Sequence, residues 1–130
     1  MSVKKVDGKL EFFPSIGGLA TGLATYTKNK KNKWIGWPGI ASDELTERDR
    51  VKISEELQKH NCYPVFLTQK QLDEYYSGYC NGILWPLFHY NEVSENSLAH
   101  ESRWWMSYLC IIVLFADTVF ALSGVEDTFW

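Results

Sequence analysis

Hydrophobic positions along the chain alternate between short apolar runs and longer periodic stretches. The short runs at 9–13, 34–37 and 62–67 predict strands, since each is bounded by proline, glycine or polar residues. Helical spacing of apolar residues predicts an amphipathic helix over 46–60 and a long helix over 97–122. Strands that alternate with helices indicate an α/β layer architecture in which at least part of the sheet is parallel.

Local signals mark where these elements begin and end. Thr68 has the side chain of an N-cap and predicts that a helix begins there. The Ser77–Gly78 pair predicts that this helix ends, and Pro86 limits the apolar segment that follows. Gly124 predicts the end of the last helix, and 128–130 predicts a strand that the chain does not finish. We therefore expect a piece of a larger protein.

The segment 104–122 is an apolar stretch about as long as a membrane-spanning helix needs. Asp117 lies inside it, and a carboxylate there costs roughly 2.5–3.5 kcal/mol on insertion scales. The flanking residues Glu101, Glu126 and Asp127 provide no basic cluster to set a topology. We therefore favour a buried helix over a membrane span, with a partner surface or self-association as other ways to cover it.

Composition narrows the class of protein. The 130 residues are 45% hydrophobic and 15% aromatic, which predicts one folded domain over residues 1–130. The net charge of −3 provides no basic field for a nucleic acid. Cys62, Cys80 and Cys110 show neither a disulfide framework nor zinc-ligand spacing. With no signal-peptide pattern at the start, we expect a cytoplasmic protein with no metal site and no cofactor.

Three blocks of sequence, taken in order, carry a resemblance to a known family. They are SIGGLATGL at 15–23, WIGWPG at 34–39 and YSGYCNGILWPLFHY at 76–90. A W-x-x-Y pair at Trp105 and Tyr108 and an F-A-D triplet at 115–117 follow. Together these motifs resemble the trehalose-6-phosphate synthases, glycosyltransferase family 20.

The resemblance implies a fold and an activity. Members of that family are retaining glycosyltransferases of the GT-B type, in which two Rossmann-like domains face a cleft. They transfer glucose from UDP-glucose to glucose 6-phosphate in trehalose biosynthesis. The resemblance covers part of the N-terminal, acceptor-side domain, so it implies a partial Rossmann-like domain with an incomplete, mostly parallel sheet. We expect negligible turnover by this chain alone.

The resemblance also assigns site residues. Gly17 and Gly18 match glycines that contact the UDP-glucose donor, although a glycine pair before a helix is also a common tight turn. Tyr76 matches the tyrosine that binds the acceptor phosphate, and Trp85 matches a tryptophan beside the acceptor glucose. Trp37 is a second candidate for lining the acceptor pocket, with a core position as the alternative.

Tyr75 and His89 leave alternatives open. Tyr75 stands beside Tyr76, and the choice of Tyr76 rests on its separation of nine residues from Trp85. His89 has the side chain of a general base, but the sequence shows no carboxylate partner and the resemblance places it in a structural segment. We therefore assign no catalytic residue.

Departures from the family pattern keep other functions open. Cys80 replaces a usual serine, and 109–113 is apolar where the family alternates apolar and polar residues. The first alternative to an enzyme fragment is a non-catalytic module that binds sugar phosphates or has a regulatory role. The second is a membrane-associated or oligomerising protein that uses the 104–122 segment.

Overall fold

The structure is a computed structural model, and it describes residues 1–15 and 32–127. The predicted helix after Gly17 and Gly18 and the predicted strand at 128–130 lie outside the described residues. The chain divides into two compact units, Met1–Phe66 and Leu67–Trp130. The single domain over residues 1–130 stays a prediction.

An antiparallel hairpin opens the first unit. It pairs β1 (Ser2–Val6) with β2 (Lys9–Phe13), with the first residue of β1 opposite the last residue of β2. Asp7 and Gly8 make the turn with φ values of 49° and 75°, which two-residue hairpin loops favour because their twist matches that of the strands. The predicted strand at 9–13 is confirmed, and its partner β1 was missed.

A second, parallel pair joins β3 (Trp34–Gly36) to β4 (Cys62–Pro64). The N–H of Trp34 donates to the carbonyl of Asn61 at 2.8 Å, and that of Val65 donates to Gly36 at 2.9 Å. The strands predicted at 34–37 and 62–67 are confirmed in shorter form. Helices and strands are mixed and the described sheets are small, as in an α/β protein fragment.

Helix α1 (Glu47–Gln58) packs against β4 in the first unit. The helix predicted from the amphipathic pattern is confirmed. Thr46 caps it: the Asp49 N–H donates to Thr46 Oγ1 at 3.2 Å, and the Thr46 N–H donates to Asp49 Oδ2 at 3.0 Å. One apolar face of the helix enters the core. The core side chains are Val3, Ile40, Leu45, Ile53 and Leu57.

An ion pair links this helix start to the hairpin. Lys5 Nζ lies 2.8 Å from Asp49 Oδ2, and this bond, with those from Thr46, lowers the pKa of Asp49 from 3.8 to about 2. A carboxylate with a depressed pKa in the folded state stabilises that state above its unfolded pKa, and the contribution is lost as the pH falls towards the folded value.

We expect the first unit to lose stability between about pH 4 and pH 2, and Asp49→Asn to remove much of this dependence. Hydrogen exchange of the α1 amides at the two ends of that range measures it. Glu55→Gln, which changes an exposed carboxyl on the same helix, is the matched control and should keep the dependence. An unchanged pH profile in Asp49→Asn would contradict the assignment.

The second unit is helical throughout its regular elements. Thr68 caps the first helix as predicted, accepting the Gln71 N–H at 3.1 Å. The described elements are α2 (Gln69–Leu72), a π-helix (Asp73–Leu84), α3 (Trp85–Phe88), α4 (Glu95–Ala99) and α5 (Glu101–Leu122).

The break predicted at Ser77–Gly78 is wrong. The helical backbone continues through the π-helix into α3, and Pro86 lies within this continuous stretch without ending it. Gly78 serves a close approach instead, since a Cβ added there would lie 2.7 Å from ring atoms of Trp104. The glycine is therefore needed for packing rather than for a turn.

The long apolar helix is confirmed as α5, but the expectation that it would be buried is wrong. Of its 22 residues Ile111 is buried, while Met106, Val113 and Phe120 are exposed. The physical reason is that the second unit packs the first half of α5 against the π-helix and leaves its other faces uncovered. By length and composition α5 could cross a membrane.

Candidate acceptor-side surface on a π-helix

The 12-residue helix Asp73–Leu84 is wound more widely than an α-helix. At its end the N–H of Trp85 donates to the carbonyl of Cys80, five residues earlier. Bonds of this span give about 4.4 residues per turn, against roughly 3.6 in an α-helix. Nine residues thus complete about two turns of this helix, but about two and a half turns of an α-helix.

This winding brings Tyr76 and Trp85 to one face. They are nine residues apart, and their exposed fractions are 62% and 61%. Glu74 and Ile83, also nine residues apart, are both buried. The structure therefore separates an outward face with the two predicted acceptor residues from an inward face.

His89 lies against Trp85. The ring centroids are 4.0 Å apart with an interplanar angle of 33°, and His89 Nδ1 is 2.8 Å from the Trp85 carbonyl oxygen. Both groups lie on the short helix α3 and its C-cap. The imidazole covers part of one face of the indole, and the exposed remainder of the ring is an apolar platform.

Tyr75 points to the other side of the helix. Its ring stacks on Tyr108 of α5 at 5.7 Å between centroids. Burial raises the pKa of the Tyr75 phenol, and burial also raises the pKa of the neighbouring Cys80 thiol. Tyr75 is thus a packing residue in this unit, while the adjacent Tyr76 is exposed.

A buried carboxylate fixes the inward face. Glu74 Oε1 lies 3.0 Å from Arg103 Nε, and Glu74 Oε2 accepts a hydrogen bond from the Ser107 hydroxyl. Arg103 and Ser107 are one turn apart on α5. The carboxylate therefore ties the start of the π-helix to the first half of α5.

Trp37 lies in the first unit, just after β3. Its indole N–H donates to the Ile40 carbonyl at 3.0 Å, and 43% of the residue is exposed, so it is not a core residue. Beside it is a cavity of about 50 Å³, which Trp34 and Tyr63 also line. Sites for small molecules are commonly about 300 Å³ or larger, so this cavity alone does not hold a sugar. The role of Trp37 in the acceptor pocket stays a prediction.

The predicted donor residues Gly17 and Gly18 lie outside the described residues. Within 1–15 and 32–127, no three His, Cys, Asp or Glu side chains are placed to hold a metal ion. The site that the structure describes is thus the outward face of the π-helix and α3.

Comparison with known proteins assigns the family. The sequence profile of glycosyltransferase family 20 matches residues 1–130. The chain belongs to this family. The motif block at 76–90 therefore corresponds, in this family 20 chain, to most of the π-helix, helix α3 and the residues after it.

Several relatives share the family 20 sequence over nearly the whole chain. An alpha,alpha-trehalose-phosphate synthase [UDP-forming] 56 kDa subunit from Kluyveromyces lactis is 34% identical and covers 100% of this chain. A synthase of the same name from Botryotinia fuckeliana is 36% identical over 95% of the chain, and synthase A from Dictyostelium discoideum is 38% identical over 100%. The chain spans 26%, 23% and 17% of these three relatives.

Sequence reasoning missed Glu74 in this family 20 chain. On an α-helix Glu74 and Trp85 would share a face, because eleven residues make about three turns. The structure instead buries Glu74 and exposes Trp85. A carboxylate beside two tyrosines was the one available signal, and it does not specify a partner.

Proposed function

We propose that the chain is the acceptor-side part of a UDP-forming trehalose-phosphate synthase, with Tyr76 and Trp85 binding glucose 6-phosphate. The fold proposed with it is a partial Rossmann-like domain of a GT-B enzyme, whose parallel sheet includes the β3–β4 pair. A cytoplasmic location goes with this proposal.

One observation carries the proposal. The residues matched to the acceptor site, Tyr76 and Trp85, are both exposed on one face of a continuous helix, while the competing Tyr75 packs inward. The family match and the names of the relatives support a sugar phosphate as the ligand of this face.

The two side chains suit the two parts of that ligand. The open face of the Trp85 indole packs against the apolar face of a pyranose ring and excludes water from it. The Tyr76 hydroxyl donates a hydrogen bond to a phosphate oxygen. His89 limits the motion of the indole by contacting its other face. In this proposal Trp85 holds the hexose ring and the Tyr76 hydroxyl holds the phosphate.

The proposed role in the reaction is positioning. Holding the acceptor hydroxyl in line with the donor's anomeric carbon lowers the barrier by removing translational and rotational freedom beforehand. Gly17 and Gly18 are proposed to let the donor diphosphate approach backbone N–H groups, and Trp37 to extend the acceptor pocket. No protein side chain is assigned to proton transfer.

Calorimetric titration of the 130-residue chain with glucose 6-phosphate tests the proposal. We expect saturable binding that Tyr76→Phe and Trp85→Ala each weaken at least about tenfold, which corresponds to about 1.4 kcal/mol. Glucose should bind more weakly than glucose 6-phosphate to the unaltered chain, because it lacks the phosphate that Tyr76 contacts.

Matched controls lie on the same unit, outside the proposed site. Tyr90→Phe removes a hydroxyl from a residue that is 99% exposed, and Phe120→Ala removes an aromatic ring that is 82% exposed on α5. Both should bind like the unaltered chain. Absence of saturable binding, or equal losses in the control variants, would refute the proposed acceptor site.

A further inference from the structure

We propose that Glu74 and Trp104 act as positioning residues, which hold the π-winding that places Tyr76 and Trp85 on one face. The proposal rests on the proposed function for its effect on the ligand. Its structural part, the winding itself, is independent of any ligand. Neither residue touches the outward face.

An α-wound segment would not present the same surface. Because nine residues then make about two and a half turns, Tyr76 and Trp85 would lie on opposite faces. Trp85 would instead rotate to the face of Glu74, which is directed towards α5. The outward platform therefore exists only in the wider winding.

Extended π-helices are rare, so something must favour this winding over the commoner one. Glu74 and Ile83, nine residues apart, are both buried, and only the wider winding turns both of them to the inward face.

Contacts with α5 hold that inward face at two places. At the start of the segment Glu74 accepts from Ser107 and pairs with Arg103. In its middle the Trp104 indole lies over Gly78 and Gly82, where added Cβ atoms would approach ring atoms within 2.7 and 3.2 Å.

These contacts hold the helix by packing and by one hydrogen bond more than by the ion pair. The Arg103 side chain is 60% exposed, so its ion pair contributes little, while the Ser107 hydroxyl bonds a carboxylate that is mostly buried. Glu74→Gln keeps an oxygen for Ser107 and should preserve the winding. Glu74→Ala removes it and should release the winding.

A pair of engineered histidines reports the winding directly. Tyr76→His with Asn81→His places two imidazoles five residues apart, which lie close in a π-helix and far apart in an α-helix. Ser77→His with Asn81→His places them four residues apart, close in both windings. All three positions are exposed. Ni²⁺ binding by each pair, compared with the single substitutions, measures how close the rings are.

We expect the five-residue pair to bind Ni²⁺ at least about tenfold tighter than its single variants. Adding Glu74→Ala or Trp104→Ala should abolish that gain while the four-residue pair keeps its own. Glu74→Gln and Trp104→Phe should restore it. Retention of the five-residue gain in both alanine variants would overturn the proposal. Loss of both gains would overturn it too, since the two residues would then hold the helix and not its winding.

A second arm links the winding to the ligand. In the chain without added histidines, Glu74→Ala should weaken glucose 6-phosphate binding at least about tenfold. Asp73→Ala, which removes the adjacent exposed carboxylate, is the control and should not. If the unaltered chain fails to bind glucose 6-phosphate, the proposed function is wrong, and the Ni²⁺ comparison still decides the proposal about winding.

Discussion

Ile53→Ala is expected to destabilise the first unit by about 3 kcal/mol, within the range of large-to-small substitutions in a core. Ile53 is fully buried on α1 and packs in the cluster that contains Val3 and Leu57. Removing most of its side chain loses apolar burial and leaves a cavity, which the β1–β2 hairpin and α1 could close only by shifting from their present packing.

Hydrogen exchange of the α1 amides measures this loss in the first unit alone. The matched control is Val51→Ala on the same helix, where 51% of the residue is exposed, so the change should stay within about 0.5 kcal/mol. Equal effects of the two substitutions would show that α1 does not pack as described.

The second large effect concerns turnover. We expect the 130-residue chain, given UDP-glucose and glucose 6-phosphate, to release UDP no faster than its Tyr76→Phe variant. A diphosphate leaving group must be neutralised by cations as the bond breaks. In the described part of the chain, Lys5, Lys59 and Arg103 are held in ion pairs within their units. Arg48 and Lys52 lie exposed on α1. We assign none of these five cations to the diphosphate leaving group, and we therefore expect no turnover.

A coupled assay for UDP checks this prediction, with a full-length fungal relative as the positive control. Release that depends on glucose 6-phosphate and exceeds the Tyr76→Phe rate would show that the chain carries its own leaving-group chemistry. The proposed role as the acceptor-side part of a larger enzyme would then be wrong.

Local signals allowed much of the fold to be predicted from sequence. The amphipathic pattern over 46–60 predicted α1, and the N-cap Thr68 predicted the start of α2. The Asp7–Gly8 turn is an equally strong local signal for a hairpin, and β1 could have been found from it.

The winding of the second unit could not be predicted in this way. Helical patterns are interpreted with about 3.6 residues per turn, and that period separates Tyr76 from Trp85. The π-winding depends on contacts with α5, such as Glu74 with Ser107, that are more than thirty residues apart in sequence. The family motif identified the pair, and the tertiary contacts explain how it is presented.

The exposure of α5 could not be predicted from the sequence pattern either. A helix that is apolar on all sides predicts burial, yet the number of neighbours is set by the rest of the fold. In the second unit the π-helix covers one side of α5, beside Trp105 and Tyr108. Hydrophobicity thus indicated a helix correctly and its surroundings incorrectly.

The central claim is that glucose 6-phosphate binds on the outward face of the π-helix and α3. Aromatic side-chain NMR of the labelled 130-residue chain, titrated with glucose 6-phosphate, tests it most directly. We predict saturable shifts of the Tyr76 ring and the Trp85 indole, with the inward Tyr75 ring unchanged. Shifts confined to the Trp37 indole, or none at Tyr76 and Trp85 at saturation, would contradict the account.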